Sequence, residues 1–265
     1  MSRSVCTVAV ALAFAAPMLV TSSAAGQETP ASAPASEPAS APASAPNPEA
    51  LAAVQKQIVE TWQKHRSIKA KVSVSLRTEA EGTPVSGEGG GAMELAQAEG
   101  KTQIRLDLRI TTSLTRDGQT MQVDQTSLSV DDGEFEYRLT EQGDRRSATK
   151  SKRNPARGLN PRELFSNLGP EARLALLPDE KIGEIDVFVL EATNVPRTGG
   201  SPFSTVRYYF GKTNGVLVRE SASSDDGKNT RTVTLSEFVF DEPLDPARFT
   251  WQTPEGVELQ DRTGG

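Results

Sequence analysis

From Lys69 onward the apolar residues fall mostly on alternate positions, the period of a strand with one side against a core and the other in water. Ala70, Val72, Val74 and Leu76 share one side of the first such run. Met93 and Leu95 follow a glycine-rich approach, Gly87 to Gly91. Residues 101–110 alternate more strictly: Ile104, Leu106, Leu108 and Ile110 face one way, Arg105, Asp107 and Arg109 the other. Met121 and Val123 continue the pattern after an Asp117-Gly118 turn. Leu128 and Val130 precede Asp131-Asp132-Gly133, and Phe135, Tyr137 and Leu139 follow it. Aspartate-glycine between alternating runs predicts a hairpin. Later strands are expected at 185–190, 205–210, 215–220, 232–240 and around 249–259, with turns at Lys212 to Gly215 and Ser224 to Gly227. Within 232–240 the apolar phase slips from Val233 and Leu235 to Phe238 and Phe240, which predicts a bulge.

Ahead of the strands the period is helical. Leu51, Val54, Ile58 and Trp62 form one apolar stripe reaching about His65, opposite Gln55, Lys56, Glu60 and Lys64. Asn47 suits the cap, Pro48 the first helical position, and Glu49 the positive end of the helix dipole. Two mid-chain segments, 160–165 and 170–177, each open with a residue suited to a helix start and are expected to be short helices. The turns between strands are too short for crossover helices, so successive strands make an antiparallel meander with one face buried. The expected fold is mainly β (α+β): a curved antiparallel sheet, an amino-terminal helix and short mid-chain helices.

The first residues lack this patterning. Arg3, an apolar run from Val5 to Val20 and the small residues Ser22 to Gly26 have the order of a secretory signal. The run is short for a bilayer span, which needs about 20 apolar residues. Cleavage near Ala25 and retention as an uncleaved anchor are the two readings of this segment. Either directs the domain across the inner membrane, to the periplasm. Cys6, the one cysteine, leaves with a cleaved signal, and disulfide chemistry leaves with it. Residues 26–46 are nearly all Ala, Ser and Pro, too poor in apolar area to offset their ordering entropy, and read as a disordered linker. Residues 47–265, about 220, suit a single β-rich domain.

Composition narrows the chemistry. A formal net charge of −6, one unit more negative without Arg3, argues against nucleic acid as a partner. Aromatic residues make up 5% of the chain, leaving few platforms for stacking bases or sugars. His65 is the one histidine, set between Lys64 and Arg66, and reads as an exposed helix-end residue. No nucleophile elbow, zinc-binding or phosphate-loop spacing occurs, so no cofactor, metal or catalytic residue is assigned. Asp131-Asp132-Gly133 and Asp225-Asp226-Gly227 lack the further oxygens of a calcium loop and read as turns. Two carboxylates meeting in space as a hydrolase pair are a separate alternative.

Two binding features stand out. Arg145, Arg146, Lys150, Lys152, Arg153 and Arg157 lie in one stretch with no acidic residue. That run is either a patch for anionic headgroups or an acidic partner, or a solvated hairpin and loop. The helix stripe of Leu51, Val54, Ile58 and Trp62 and the strand face of Ile104, Leu106, Leu108 and Ile110 are two apolar walls. They form either a groove for acyl chains or a packed core.

Several segments resemble the LolA/LolB-like lipoprotein-carrier superfamily. They are the run from Tyr208 through Gly211 and Gly215 to Leu217, Phe238 to Phe240, the segment from Pro243 to Leu259, and Ser129 to Tyr137 with its aspartate-glycine before aromatics. The resemblance covers about residues 48–261. The family's Arg-Pro step after the second strand is replaced here by Ala96 to Gly100, while Arg105 falls where the next strand commonly carries an arginine. The resemblance implies an unclosed β-barrel with helices as a lid over an apolar cavity. It also implies periplasmic binding or carriage of lipids or lipoprotein acyl chains, exchanged with a membrane-bound donor or acceptor protein. The alternative within the resemblance is a non-enzymatic envelope sensor or scaffold that binds a protein partner, like RseB.

Overall fold

A computed structural model describes residues 47–80, 83–98, 100–116, 119–154, 159–195 and 201–264. The expected signal peptide, the linker, the Asp117-Gly118 turn and Arg157 lie outside the described residues.

Helix α1 spans Pro48–Trp62. Asn47 Oδ1 accepts the amides of Glu49 and Ala50 at 3.1 and 3.2 Å, supplying the expected cap. The helix stops short of His65 because the β-turn at Asn214-Gly215 abuts its last turn. Gly215 has φ +66°, and a methyl group there would stand 2.4 Å from the Ile58 carbonyl oxygen and 2.6 Å from the Trp62 amide. Only glycine satisfies both demands.

Six strands follow: β1 Ser67–Ala80, β2 Thr83–Ala98, β3 Lys101–Arg116, β4 Gln119–Asp131, β5 Phe135–Gln142 and β6 Arg145–Lys152. Helix α2, Pro161–Ser166, is capped by Asn160, whose Oδ1 accepts the Arg162 amide at 3.1 Å. A second meander comprises β7 Arg173–Ile182, β8 Ile185–Thr193, β9 Thr205–Gly211, β10 Leu217–Ser223 and β11 Thr230–Phe240. A 3-10 turn, Pro246–Phe249, and the short β12, Leu259–Asp261, complete the described chain. All twelve strands form one curved sheet in the order β12-β6-β5-β4-β3-β2-β1-β11-β10-β9-β8-β7, with β7 and β12 at its two edges. Every pairing is antiparallel except β12 on β6. The non-consecutive pairing of β1 with β11 joins the meanders, and the predicted bulge sits there. The register shifts opposite Lys69 to Lys71, with Glu237 at φ +51°.

Two expectations about elements require correction. The second mid-chain helix, 170–177, is absent: Arg173 onward is β7, where Leu174 and Leu176 pair with Ala192 and Leu190 of β8. Clustered leucines fit either period, and the adjacent strand decides. Pro178 falls at the irregularity between Leu177 and Glu180, on an edge strand, where a missing amide costs least. The strand expected around 249–259 reduces to β12, because Pro254 interrupts it. The glycine-rich approach, Gly87 to Gly91, forms the middle of β2 and is paired on both sides.

The register defines the faces. On the side facing the helices, Val72 lies beside Gly91 and Leu108, and Val74 beside Gly89 and Ile110. A methyl group at Gly91 or Gly89 would stand 1.8 or 2.1 Å from a β3 carbonyl oxygen. β3 passes where side chains would otherwise stand. The same face on β8 and β9 carries Leu190, Ala192, Val206, Tyr208 and Phe210, which cluster with Ile58 of α1 and Leu164 of α2. Each fully buried large aliphatic there contributes about 1.5–3 kcal/mol.

Beyond β3 the apolar side changes. Leu106, Leu108 and Ile110 are next to Ser129, Ser127 and Gln125, while Leu128 and Val130 point to the opposite face with Tyr137, Leu139 and Ala148. A single buried face, as expected from the alternation, therefore does not describe the sheet. The carboxy-terminal segment lies against this outer face. Trp251 stacks on Tyr137 at 5.5 Å, Arg105 donates to the Arg248 carbonyl at 3.3 Å, and Arg248 pairs with Glu94. Val130, Leu139, Ala148 and Phe249 are buried.

Candidate functional site

The helices and the inner face meet along a seam of uneven burial. Ile58, Trp62, Met93, Leu95 and Leu190 are sealed. Around them Leu51 and Val54 of α1, Phe165 of α2, Leu168, and Leu76, Ile104, Leu106 and Val233 of the sheet are only half-buried. The expected groove residues are not a single set. Leu51, Val54 and Ile58 pack over β8 to β10, whereas Trp62 packs with Ile104, Leu106, Leu108 and Ile110. Leu159, just before α2, touches both clusters. An open, mainly polar depression of about 640 Å³ lies elsewhere, between the α2–β7 turn and Asn194, Ser204 and Asp225, and none of the eight expected groove residues lines it.

His65 is not the exposed residue expected. Its side chain is 16% exposed, its ring stacks on Phe240 at 4.4 Å, and Nε2 lies 3.2 Å from the Asn214 carbonyl. Nδ1 lies 3.4 Å from Asp241. The Arg66 amide, then His65, hold the Asp241 carboxyl below its usual range. This arrangement fastens the end of α1 to the β9–β10 turn and to the chain after β11.

Within the basic run, Arg145–Lys152 form strand β6, the second strand of a hairpin with β5, and alternation divides the run between faces. Arg146, Lys150 and Lys152 share a side with Ala148; Arg145 and Arg153 take the other. Arg146 pairs with Glu141 at 2.8 Å, and Lys150 sits 4.0 Å over the Phe135 ring and 3.9 Å from Asp261. Arg145 and Lys152 are exposed.

Arg153 is 13% exposed and bridges two carboxylates, Asp131 of the sheet and Glu163 of α2, each at 2.7 Å. Burial works against its charge, but the carboxylates more than offset that and hold the guanidinium above its usual pKa. Burial pushes the Asp131 carboxyl above the usual range, against the pull of the Gly133 amide at 2.8 Å and of Arg153. Asn160 adds contacts to Thr102 and Glu163, both at 3.2 Å. This strap across the inner face was missed in the sequence. Its one local signal is Glu163 in the first turn of α2.

A second polar pair, Glu220 and Arg231, lies beside Tyr208 in the inner face of β9 to β11, with Arg231 5.2 Å over the Phe203 ring. Burial first, then the Glu220 charge, raises the Tyr208 pKa. A raised folded pKa leaves this contribution to stability intact below the unfolded value of about 10 and removes it as pH climbs toward the folded one. Chemical denaturation between pH 8 and 11 should therefore show a fall in stability above pH 10 that Tyr208→Phe reduces; an unchanged slope would refute the assignment.

Together, fold and site define a class: an open antiparallel sheet roofed by two helices, with an incompletely sealed apolar interior and no metal-ligand cluster of three or more His, Cys, Asp or Glu among the described residues. No family model and no curated protein matches the sequence. Solved structures do. The chain is similar to an uncharacterized conserved protein from Thermus thermophilus, with 11% identity over 78% of this chain and 98% of that one and a TM-score of 0.44. It is similar to an outer membrane lipoprotein-sorting protein domain from Vibrio parahaemolyticus, with 15% identity over 76% and 94% and a TM-score of 0.33. It is also similar to a LolA superfamily protein from Nitrosomonas europaea, with 12% identity over 75% and 98% and a TM-score of 0.27.

Proposed function

We propose that this protein is a non-catalytic, periplasmic binder of acyl chains, carried by lipids or lipoproteins, which it accepts between the helices and the inner face of the sheet. One observation carries the reading. Large apolar side chains on both walls, Leu51, Val54 and Phe165 above and Leu76, Ile104, Leu106 and Val233 below, are half-buried rather than sealed. Each buried methylene of a ligand contributes about 0.8 kcal/mol, so a long chain offers on the order of 10 kcal/mol before ordering costs of several kcal/mol. Micromolar or tighter binding follows without polar recognition. Entry requires α1 and α2 to yield, the chain replacing helix–sheet contacts, and release requires a membrane-bound acceptor with a better apolar surface.

The test is solvent extraction of the purified protein with mass spectrometry of the extract, alongside lipid titration of Trp62 emission in a Trp251→Phe background. Bound acyl lipid and a saturable emission change are expected, with Leu106→Asp weakening affinity at least about tenfold, a loss of 1.4 kcal/mol. An empty extract together with unresponsive Trp62 emission sinks the proposal.

A further inference from the structure

Trp62 is 2% exposed, yet its indole Nε1 has no hydrogen-bond partner among the described residues. The other tryptophan is satisfied, Trp251 Nε1 donating to Thr253 Oγ1 at 3.0 Å. A buried donor without an acceptor costs about 1–3 kcal/mol, and such groups are rare enough in folded proteins to need a cause. Phenylalanine would fill an apolar site without that cost.

The indole belongs to an apolar cluster. Trp62 clusters with Ile68, Val72, Leu108, Val216 and Leu235, and the half-buried Phe238 and Phe240 pack against the same cluster. Ile104, Leu106 and Leu159 pack against the same cluster and are half-buried, so the margin of that cluster reaches solvent. Trp62 is also immobilised, being the last residue of α1, with the Gly215 turn set against its backbone amide. The donor is buried and unmatched, within a cluster whose margin is half-buried.

The geometry points to Trp62 Nε1 as a hydrogen-bond donor for the carbonyl oxygen of a bound acyl group, which makes the preferred ligand an acyl ester or amide rather than a plain hydrocarbon or ether chain. This rests on the acyl-binding reading above and adds to it a polar determinant. The Nε1–H supplies one donor, a carbonyl supplies the acceptor, and the chain beyond the carbonyl lies along Ile104 and Leu106. Binding then relieves a cost that the empty protein carries, so the bond contributes more than one exchanged with water.

The probes are methyl palmitate and hexadecyl methyl ether, delivered from cyclodextrin, which match in chain and differ by the carbonyl. The quantity read is the ratio of ether to ester Kd in the full domain and in Trp62→Phe. Comparing ratios cancels the differing solubilities of the probes, as in a double-mutant cycle. The ratio is expected to fall at least about tenfold in Trp62→Phe, or 1.4 kcal/mol, more than a hydrogen bond exchanged with water contributes. Should that variant fold poorly, the Trp62 indole N–H resonance in the Trp251→Phe protein serves instead. It should move downfield and exchange more slowly with the ester than with the ether. Equal ratios, or an indole resonance indifferent to the carbonyl, with both probes bound, overturn this inference and leave acyl binding standing; an ordered water would then be the acceptor. Binding of neither probe overturns both.

Discussion

Replacing Gly91 by alanine should destabilise the domain by about 2–3 kcal/mol, whereas the same change at Gly87, four residues away on the same face of β2, should leave stability unchanged or raise it by about 0.4–1 kcal/mol. The contrast comes from what a methyl group meets. At Gly91 it would lie 1.8 Å from the Asp107 carbonyl oxygen and 2.8 Å from its carbon, both main-chain atoms that cannot turn aside. At Gly87 the nearest atoms are Thr112 Oγ1 at 3.6 Å and the side chains of Ile110 and Leu76 at 3.7 Å, ordinary contact distances. Alanine at Gly91 must push β3 away from β2, separating the pairs Met93–Leu106 and Gly89–Ile110 that build the inner floor. Alanine at Gly87 only reduces the freedom of the unfolded chain. Thermal unfolding checks the pair, with the midpoint of the Gly91 variant falling by roughly 5–10 °C for a domain of this size. Equal midpoints would show that β3 adjusts freely and that the close approach is not a requirement of the sheet.

Removal of the Arg153 guanidinium is the second large effect expected. Arg153→Ala should cost about 3 kcal/mol near neutral pH, because breaking a buried pair strands the carboxylates it served. Asp131 and Glu163 are 15% and 27% exposed, and the pair Glu136–Arg138 alongside adds no net charge to compensate them. The deficit should depend on pH, with a definite sign. The Asp131 carboxyl already has its pKa raised by burial, and loss of the cation raises it further. A carboxyl with a raised folded pKa gives its full contribution below the unfolded value of about 3.9 and loses it as pH rises through the folded one. The deficit of Arg153→Ala relative to wild type should thus shrink from pH 7 toward pH 4. Denaturant titrations at both values decide the matter, and a deficit independent of pH would mean that the guanidinium acts by packing alone. Because Glu163 is on α2 and Asp131 on the sheet, the same variant should loosen the roof, visible as faster amide exchange in residues 161–166.

Much of the architecture could be read from the residues taken singly. The α1 cap, its apolar stripe, the α2 start, most strands and the β11 bulge follow from local rules: Asn47 and Asn160 precede prolines, and the phase slip between Leu235 and Phe238 has one geometric meaning in a paired strand. The candidate site was legible only in part. Ile104, Leu106, Leu108 and Ile110 lie on the inner face, but their partner among the helix residues is Trp62 alone, since the crossing of α1 over the sheet sends Leu51, Val54 and Ile58 to β8 to β10. Strand β7 was read as a helix because Leu174, Leu176 and Leu177 fit either period when their β8 partners are unknown. The charged run on β6 looked like one patch because linear proximity does not record that a strand alternates its side chains between opposite surfaces.

Outside β7 and the carboxy-terminal segment, local patterning thus determined which segments extend, which coil and where turns fall, because those choices depend on the torsional and solvation preferences of neighbours in the chain. Tertiary structure alone decided that the apolar side of the sheet switches between β3 and β4, that Trp251 and Arg248 return to the outer face, and that Arg153 joins Asp131 to Glu163. The physical reason is that each is a long-range pairing, set by strand order and register, and the energy of such a contact depends on a neighbour whose distance along the chain carries no local signature.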